Sequence, residues 1–187
     1  EKNMALGMIN IEKNQLEKVE IQIASPAFTV LNLQDNKITS IILKAASLQE
    51  LNIRGNSFNA IQSALFKALP NLTHLDMSKT YIKQIPEEIG LLTKLKELDI
   101  SHNMLTTLPK NMAKLTSLHK LHAQRNHIEE FPAELCLAAP LDYLDLSFND
   151  IKTLPEEFIS LQKLSYLNLK KNKLREIPMI IGGLKQL

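Results

Sequence analysis

The chain has 187 residues, 44% of them hydrophobic, and its 22 Lys and Arg against 20 Asp and Glu leave a net charge of +2. That length allows a substantial core in one or two domains, and the near-neutral balance excludes a polyanionic partner held by bulk charge alone. A single cysteine, Cys136, excludes an intrachain disulfide and points to a reducing, cytoplasmic compartment; no apolar run approaches the roughly 20 residues of a membrane span, and Glu1 to Asn10 lacks the basic start and apolar core of a signal peptide.

From Leu6 onward the chain repeats a frame of apolar residues at positions 1, 4, 6 and 11, with Asn at position 9 of most units. The first unit opens at Leu6 and the second at Phe28, where Ser25-Pro26 and a second unit of only 20 residues imply extended return segments. The third opens at Leu48 and runs on through Leu65 and Phe66 over 24 residues. The fourth opens at Leu72 and has Thr80 where the others have Asn, so a local irregularity is expected there, because a hydroxyl offers fewer bonds than an amide. Units at Leu95, Leu118, Leu141 and Leu164 follow at 23-residue spacing, and a ninth begins at Leu187. From the fourth unit on, Pro86, Pro109, Pro132, Pro155 and Pro178 stand at position 15 and preset a turn. Most of these units carry a second apolar pair after the proline: Ile89 and Leu92, Met112 and Leu115, Phe158 and Leu161, Ile181 and Leu184.

Apolar residues alternating at positions 4 and 6 have the period of a short strand with one buried face. A single unit cannot bury that face alone, so stacked units share a continuous core, and strands joined by crossovers of this length run parallel. The position-9 amides (Asn14, Asn36, Asn56, Asn103, Asn126, Asn149, Asn172) turn the chain off the strand and can bond buried backbone of adjacent units. The few residues left for each return favour single 3-10 or short helical turns.

These units resemble the leucine-rich repeat family, over essentially the whole chain from Leu6 to Leu187. The proline-bearing units are similar to the 23-residue intracellular subclass of Ras-suppressor and Ras-group scaffolds, and the third unit to a 24-residue class whose Phe stacks inside. The resemblance implies an α/β fold: one domain over residues 1–187, a right-handed solenoid with a curved parallel β-sheet on its concave face and short 3-10 or α turns and extended segments on its convex face. The start without Met and the close part-way through a unit read as a piece of a longer protein. By the same resemblance the concave face binds a protein partner, a small GTPase or another domain of the same chain. The implied role is a non-catalytic signalling scaffold; the alternative is a targeting or autoinhibitory arm of a larger multidomain enzyme.

Positions 3, 5 and 7 face out of the sheet, with position 8 at its edge. Position 5 reads Asn10, Asn32, Asn52, Asp76, Asp99, His122, Asp145, Asn168, either a solvated polar column or a contact column for basic and amide groups. Position 3 reads Met8, Val30, Glu50, His74, Glu97, Lys120, Tyr143, Tyr166, and position 8 adds Phe148 between Arg125 and Lys171. Aromatic side chains flanked by Arg are the residue types that dominate binding hot spots. The candidate patch is therefore Tyr143, Phe148 and Tyr166, rimmed by His122, Arg125, Lys170 and Lys171, with His74, Glu97 and Lys120 farther along the face. The competing reading of Phe148 is packing onto the neighbouring unit.

Other chemistries fit less well. His122 lies between Asp99 and Asp145, but three ligands there would have to converge across about 9.6 Å, twice the strand spacing, so no metal is expected. His119, Lys120, Arg125, Lys170 and Lys171 with the tyrosine pair suggest nucleic-acid binding, against which Glu97, Asp99 and Asp145 share the surface; no nucleic acid is expected. The chain has only five Gly and no phosphate loop, nucleophile elbow, paired Cys or His-Glu-x-x-His, so neither cofactor nor catalysis is expected. Cys136 shares position 19 with Gly90, Ala113, Ile159 and Gly182 and reads as a buried structural thiol.

Overall fold

The computed structural model describes residues 6–187, so residues 1–5 of the expected domain lie outside the described residues. Among the described residues ten strands form: β1 (Met8–Asn10), β2 (Lys18–Gln22), β3 (Val30–Asn32), β4 (Ser40–Lys44), β5 (Glu50–Asn52), β6 (His74–Asp76), β7 (Glu97–Asp99), β8 (Lys120–His122), β9 (Tyr143–Asp145) and β10 (Tyr166–Asn168). All except β2 and β4 occupy positions 3 to 5 of a repeat unit, and they make one eight-stranded sheet in the order β1-β3-β5-β6-β7-β8-β9-β10. Every neighbouring pair is parallel with like positions opposed, for example Leu98 opposite Leu121 and Leu144 opposite Leu167. A one-residue slip would turn each buried leucine outward, which is why the hydrophobic pattern fixes this register.

Positions 4 and 6 fill the interior: Leu98, Ile100, Leu144 and Leu146 are fully buried, each worth about 1.5–3 kcal/mol for a side chain of that size. In the last unit Leu167 and Leu169 are half-buried, with a neighbouring unit on one flank. Phe66 is buried inside the third unit, within helix α1 (Ser63–Lys67). Later units return through helix α2 (Ala133–Ala138) and 3-10 turns at Glu87–Leu91, Lys110–Lys114, Glu156–Ser160 and Met179–Gly183. Each position-15 proline is the last extended residue before its turn, with φ near the ring's fixed value. Behind it Ile89, Leu92, Met112, Leu115, Phe158 and Leu161 line the second side of the core. In the first two units the return is extended, and β2 pairs with β4 in a second parallel sheet that opposes Val19 to Ile41 and Ile21 to Leu43.

The position-9 amides tie the units together. Asn126 donates from Nδ2 to the Ala123 carbonyl of its own unit (3.1 Å) and the Ile100 carbonyl of the preceding one (3.0 Å), while its Oδ1 accepts the Leu105 N–H (3.0 Å). The same pattern recurs at Asn36, Asn56, Asn149 and Asn172. Thr80 departs from it as expected: its hydroxyl donates to the Met77 carbonyl of its own unit at 2.7 Å and does not reach back to the third unit. The following residue, Tyr81, takes a left-handed conformation (φ 61°), yet β5 and β6 still pair in register. Among the described residues no helix is long and apolar enough to cross a membrane.

Candidate partner interface

The open face of the sheet is bounded by two local devices. At position 5 a side-chain oxygen accepts the N–H two residues on: Ser78 donates to Asp76, Ser101 to Asp99 and Ser147 to Asp145, all at 2.8 Å, and Arg54 to Asn52 at 3.0 Å. The column therefore closes each strand with a turn, a role outside both the solvated and the contact readings. Position 8 is left-handed in every unit, from Lys13 to Lys171, with Gly55 supplying it in the third. For residues other than Gly that conformation costs about 1–2 kcal/mol. It is offset by a second backbone ladder, in which the position-8 N–H donates to the position-7 carbonyl of the next unit: Arg125 to Ser147 at 2.9 Å, Phe148 to Lys170 at 2.7 Å.

Within this frame Tyr143 and Tyr166 face each other in register on β9 and β10, and their rings stack at 4.3 Å with only 2° between planes. His122 has no carboxyl with which to close its strand. Its ring leans on Tyr143 at 4.7 Å, and its Nε2 lies 3.5 Å from Glu97, which also holds Lys120 at 3.6 Å. Three rings on three adjacent strands thus make one continuous strip, with Glu97 and Lys120 at its border. Burial, with Tyr166 and Asp145 nearby, pushes the Tyr143 hydroxyl up to about 12, so it remains a neutral donor at physiological pH. Phe148 lies under the Arg125 guanidinium of the preceding unit, 4.4 Å from its ring centroid, and remains 36% exposed.

The other candidates divide. Lys170 and Lys171 are exposed on the last unit beside the strip. His74 does not join it: on β6 it is about 14 Å from Tyr143 along the sheet, and its Nδ1 lies 3.0 Å from the Thr73 hydroxyl. It lines a concavity of about 370 Å³ with Glu50, Asp76, Glu97 and Asp99. There burial, assisted by Asp99, raises Asp76 above the usual carboxylate range. No group of three or more His, Cys, Asp or Glu among the described residues could hold a metal ion. Cys136 is buried in α2 with its thiol directed at the Pro132 carbonyl (3.5 Å), and burial pushes it up to about 12. Such a thiol is protonated and a poor nucleophile.

Comparisons with known proteins bear on the fold. A family model for leucine-rich repeat regions matches residues 27–135, and a second, for the leucine-rich repeat, matches residues 139–187. Over 93 residues the chain is 37% identical to leucine-rich repeat serine/threonine-protein kinase 1 of Caenorhabditis elegans, a match covering 46% of this chain and 4% of that protein. A solved leucine-rich repeat protein of Leptospira interrogans is similar in structure, with TM-score 0.68 and 26% identity over 96% of this chain and 52% of that one.

Proposed function

Because the chain belongs to the leucine-rich repeat family, whose domains generally mediate protein–protein interaction and are typically non-catalytic, we propose that it docks a protein partner on its concave face at Tyr143 and Tyr166. The observation that carries this reading is the tyrosine stack: two large rings, already parallel at 4.3 Å and continuous with His122, form a flat surface ordered before any partner arrives. Docking on it immobilises few side chains, and aromatic groups flanked by Arg125 and Lys171 are those that concentrate binding energy. The proposed partner is a small GTPase, supported by the likeness of the proline-bearing units to Ras-group scaffolds, or another domain of the same polypeptide. A single buried cysteine suits the cytoplasm proposed for it.

A second reading, an arm of a larger multidomain enzyme, is favoured by the 93-residue likeness to a repeat-bearing kinase of which this chain spans only 4%. Affinity capture from lysate, comparing the parent with Tyr143→Ala/Phe148→Ala/Tyr166→Ala, tests the shared docking surface. Loss of a captured protein with a nearly unchanged melting temperature is expected; undiminished capture contradicts the assignment. Removing the repeats from the full-length polypeptide separates the roles, since a scaffold loses partners whereas an arm alters a catalytic rate.

A further inference from the structure

The C-terminal ends of the strands carry a second row of side chains, apart from the stacked tyrosines. Lys79, His102, Arg125, Phe148 and Lys171 occupy position 8 of the last five units, with Arg54 beside Gly55 one unit earlier. All five are left-handed, with φ of 55–57°. From Lys79 to Phe148 each N–H is held by the next unit's position-7 carbonyl at 2.7–3.0 Å. The row is thereby fixed at about 4.8 Å per unit, or about 24 Å in all, the reach of roughly seven residues of extended chain.

Its charge is one-sided. Among the described residues some cations elsewhere, Lys67, Lys110, Lys120, Lys152 and Lys173, have a carboxylate within ion-pairing distance, and others, such as Lys83, Lys96 and Lys114, do not but stand apart from one another rather than in a single row. Among the described residues Arg54, Lys79, Arg125, Lys170 and Lys171 make no such pair. The next row out neutralises itself, with Asp150 between His127 at 3.4 Å and Lys173 at 2.8 Å. His102 registers the field: partial burial, then Arg125, Lys79 and Arg54, hold its imidazole below the ordinary 6.5. The positive run has a defined beginning, because the second unit places Asp35 in the same slot, its carboxylate lying over Gly55.

We infer that this rim docks an extended acidic segment of the partner, lying across the third to eighth units with one apolar residue against Phe148. The inference rests on the reading that the partner is a protein and adds the chemistry of its docking segment. Charge complementarity selects the occupant, and the apolar content of the rim selects the class. A peptide with one apolar side chain matches a rim with one apolar ring, Phe148, whereas a nucleic-acid strand needs stacking surfaces for successive bases that the other rim residues do not offer.

The test is fluorescence anisotropy on the 187-residue chain with three labelled probes: a peptide of about eight residues, Glu-rich with one Leu, its Lys-rich counterpart, and a single-stranded oligonucleotide of equal length. The Glu peptide alone should bind, more weakly as salt rises. Lys79→Gln/Arg125→Gln should weaken it about fivefold or more, with the native far-UV circular dichroism retained, because both side chains are exposed and only the Arg125 contact with the Phe148 ring is lost. Adding that peptide should move the NMR titration midpoint of His102 upward. Equal affinity for the Lys peptide, indifference to the double substitution, or tighter binding of the oligonucleotide would overturn the inference. This assay reads the rim, and capture by a Tyr143→Ala/Tyr166→Ala variant, which leaves Phe148 and Arg125 in place, reads the stack, so either reading can fail without the other.

Discussion

Replacing Asn126 by Ala removes three hydrogen bonds at once, and their loss is unequal. The Ile100 carbonyl keeps the Asn103 amide at 3.0 Å, and the Ala123 carbonyl keeps the Asn149 amide at 3.0 Å. The Leu105 N–H, on a fully buried residue, has Asn126 Oδ1 as its acceptor among the described residues, so it is orphaned. An unsatisfied buried donor costs about 1–3 kcal/mol and each lost amide–carbonyl bond about 0.5 kcal/mol, giving about 2–4 kcal/mol in total. In a chain of this length that lowers the melting temperature by about 4–15 °C. Asn14 provides the control. It holds the same position in the first unit, is exposed, and donates only to Ile11 and Glu12 of its own unit, so Asn14→Ala should shift stability by less than about 0.5 kcal/mol. Equilibrium urea unfolding followed by far-UV circular dichroism decides between them. Equal shifts in the two variants, or a loss at Asn126 below about 1 kcal/mol, would refute the view that these amides join unit to unit.

Other outcomes follow from the same stacking. Gly90 and Gly182 share a repeat position, but a Cβ on Gly90 would stand 2.5 Å from the Asn111 carbonyl oxygen and one on Gly182 would meet nothing within 4 Å. Gly90→Ala should therefore cost about 1–3 kcal/mol and Gly182→Ala should be neutral or gain up to about 1 kcal/mol; the reverse order in urea midpoints would contradict the packing of successive turns. Thr80→Asn should regain the bonds to the third unit and stabilise by about 0.5–1.5 kcal/mol, and a lower midpoint would show that the left-handed backbone at Tyr81 has another cause. Cys136, raised by burial and then by Glu157 from 9.0 to about 12, should react with thiol reagents far more slowly in the native chain than in urea at neutral pH. Its unfolded thiol loses a proton first as pH rises, so the stability it contributes is present below about 9 and lost between 9 and about 12; rapid native labelling at neutral pH would sink this.

The repeat frame placed every strand of the large sheet, because positions 4 and 6 report burial directly and stacking transmits the register from one unit to the next. The tyrosine stack was legible for the same reason: Tyr143 and Tyr166 share a column, and columns become neighbours. His122 leaning on Tyr143 was not, since it joins two columns, position 5 of one unit and position 3 of the next. The β2 and β4 pairing left a signal in the alternation of Val19 with Ile21 and of Ile41 with Leu43, but a return segment alone does not say which neighbour it pairs with. The left-handed rim left almost none, for only Gly55 betrays it by residue type while Phe148 and Arg125 adopt the same backbone. Backbone bonds between units hold that conformation, and sequence period does not record them.

Photocrosslinking shows most directly which face meets the partner. A photoreactive phenylalanine analogue placed at Tyr166, 42% exposed on β10, is compared with the same group at Leu137, 67% exposed on α2 across the core. In the full-length protein, adducts with a captured partner should form from position 166 and be absent from position 137. Adducts from position 137 alone would place the partner on the convex side and contradict docking at the tyrosine stack.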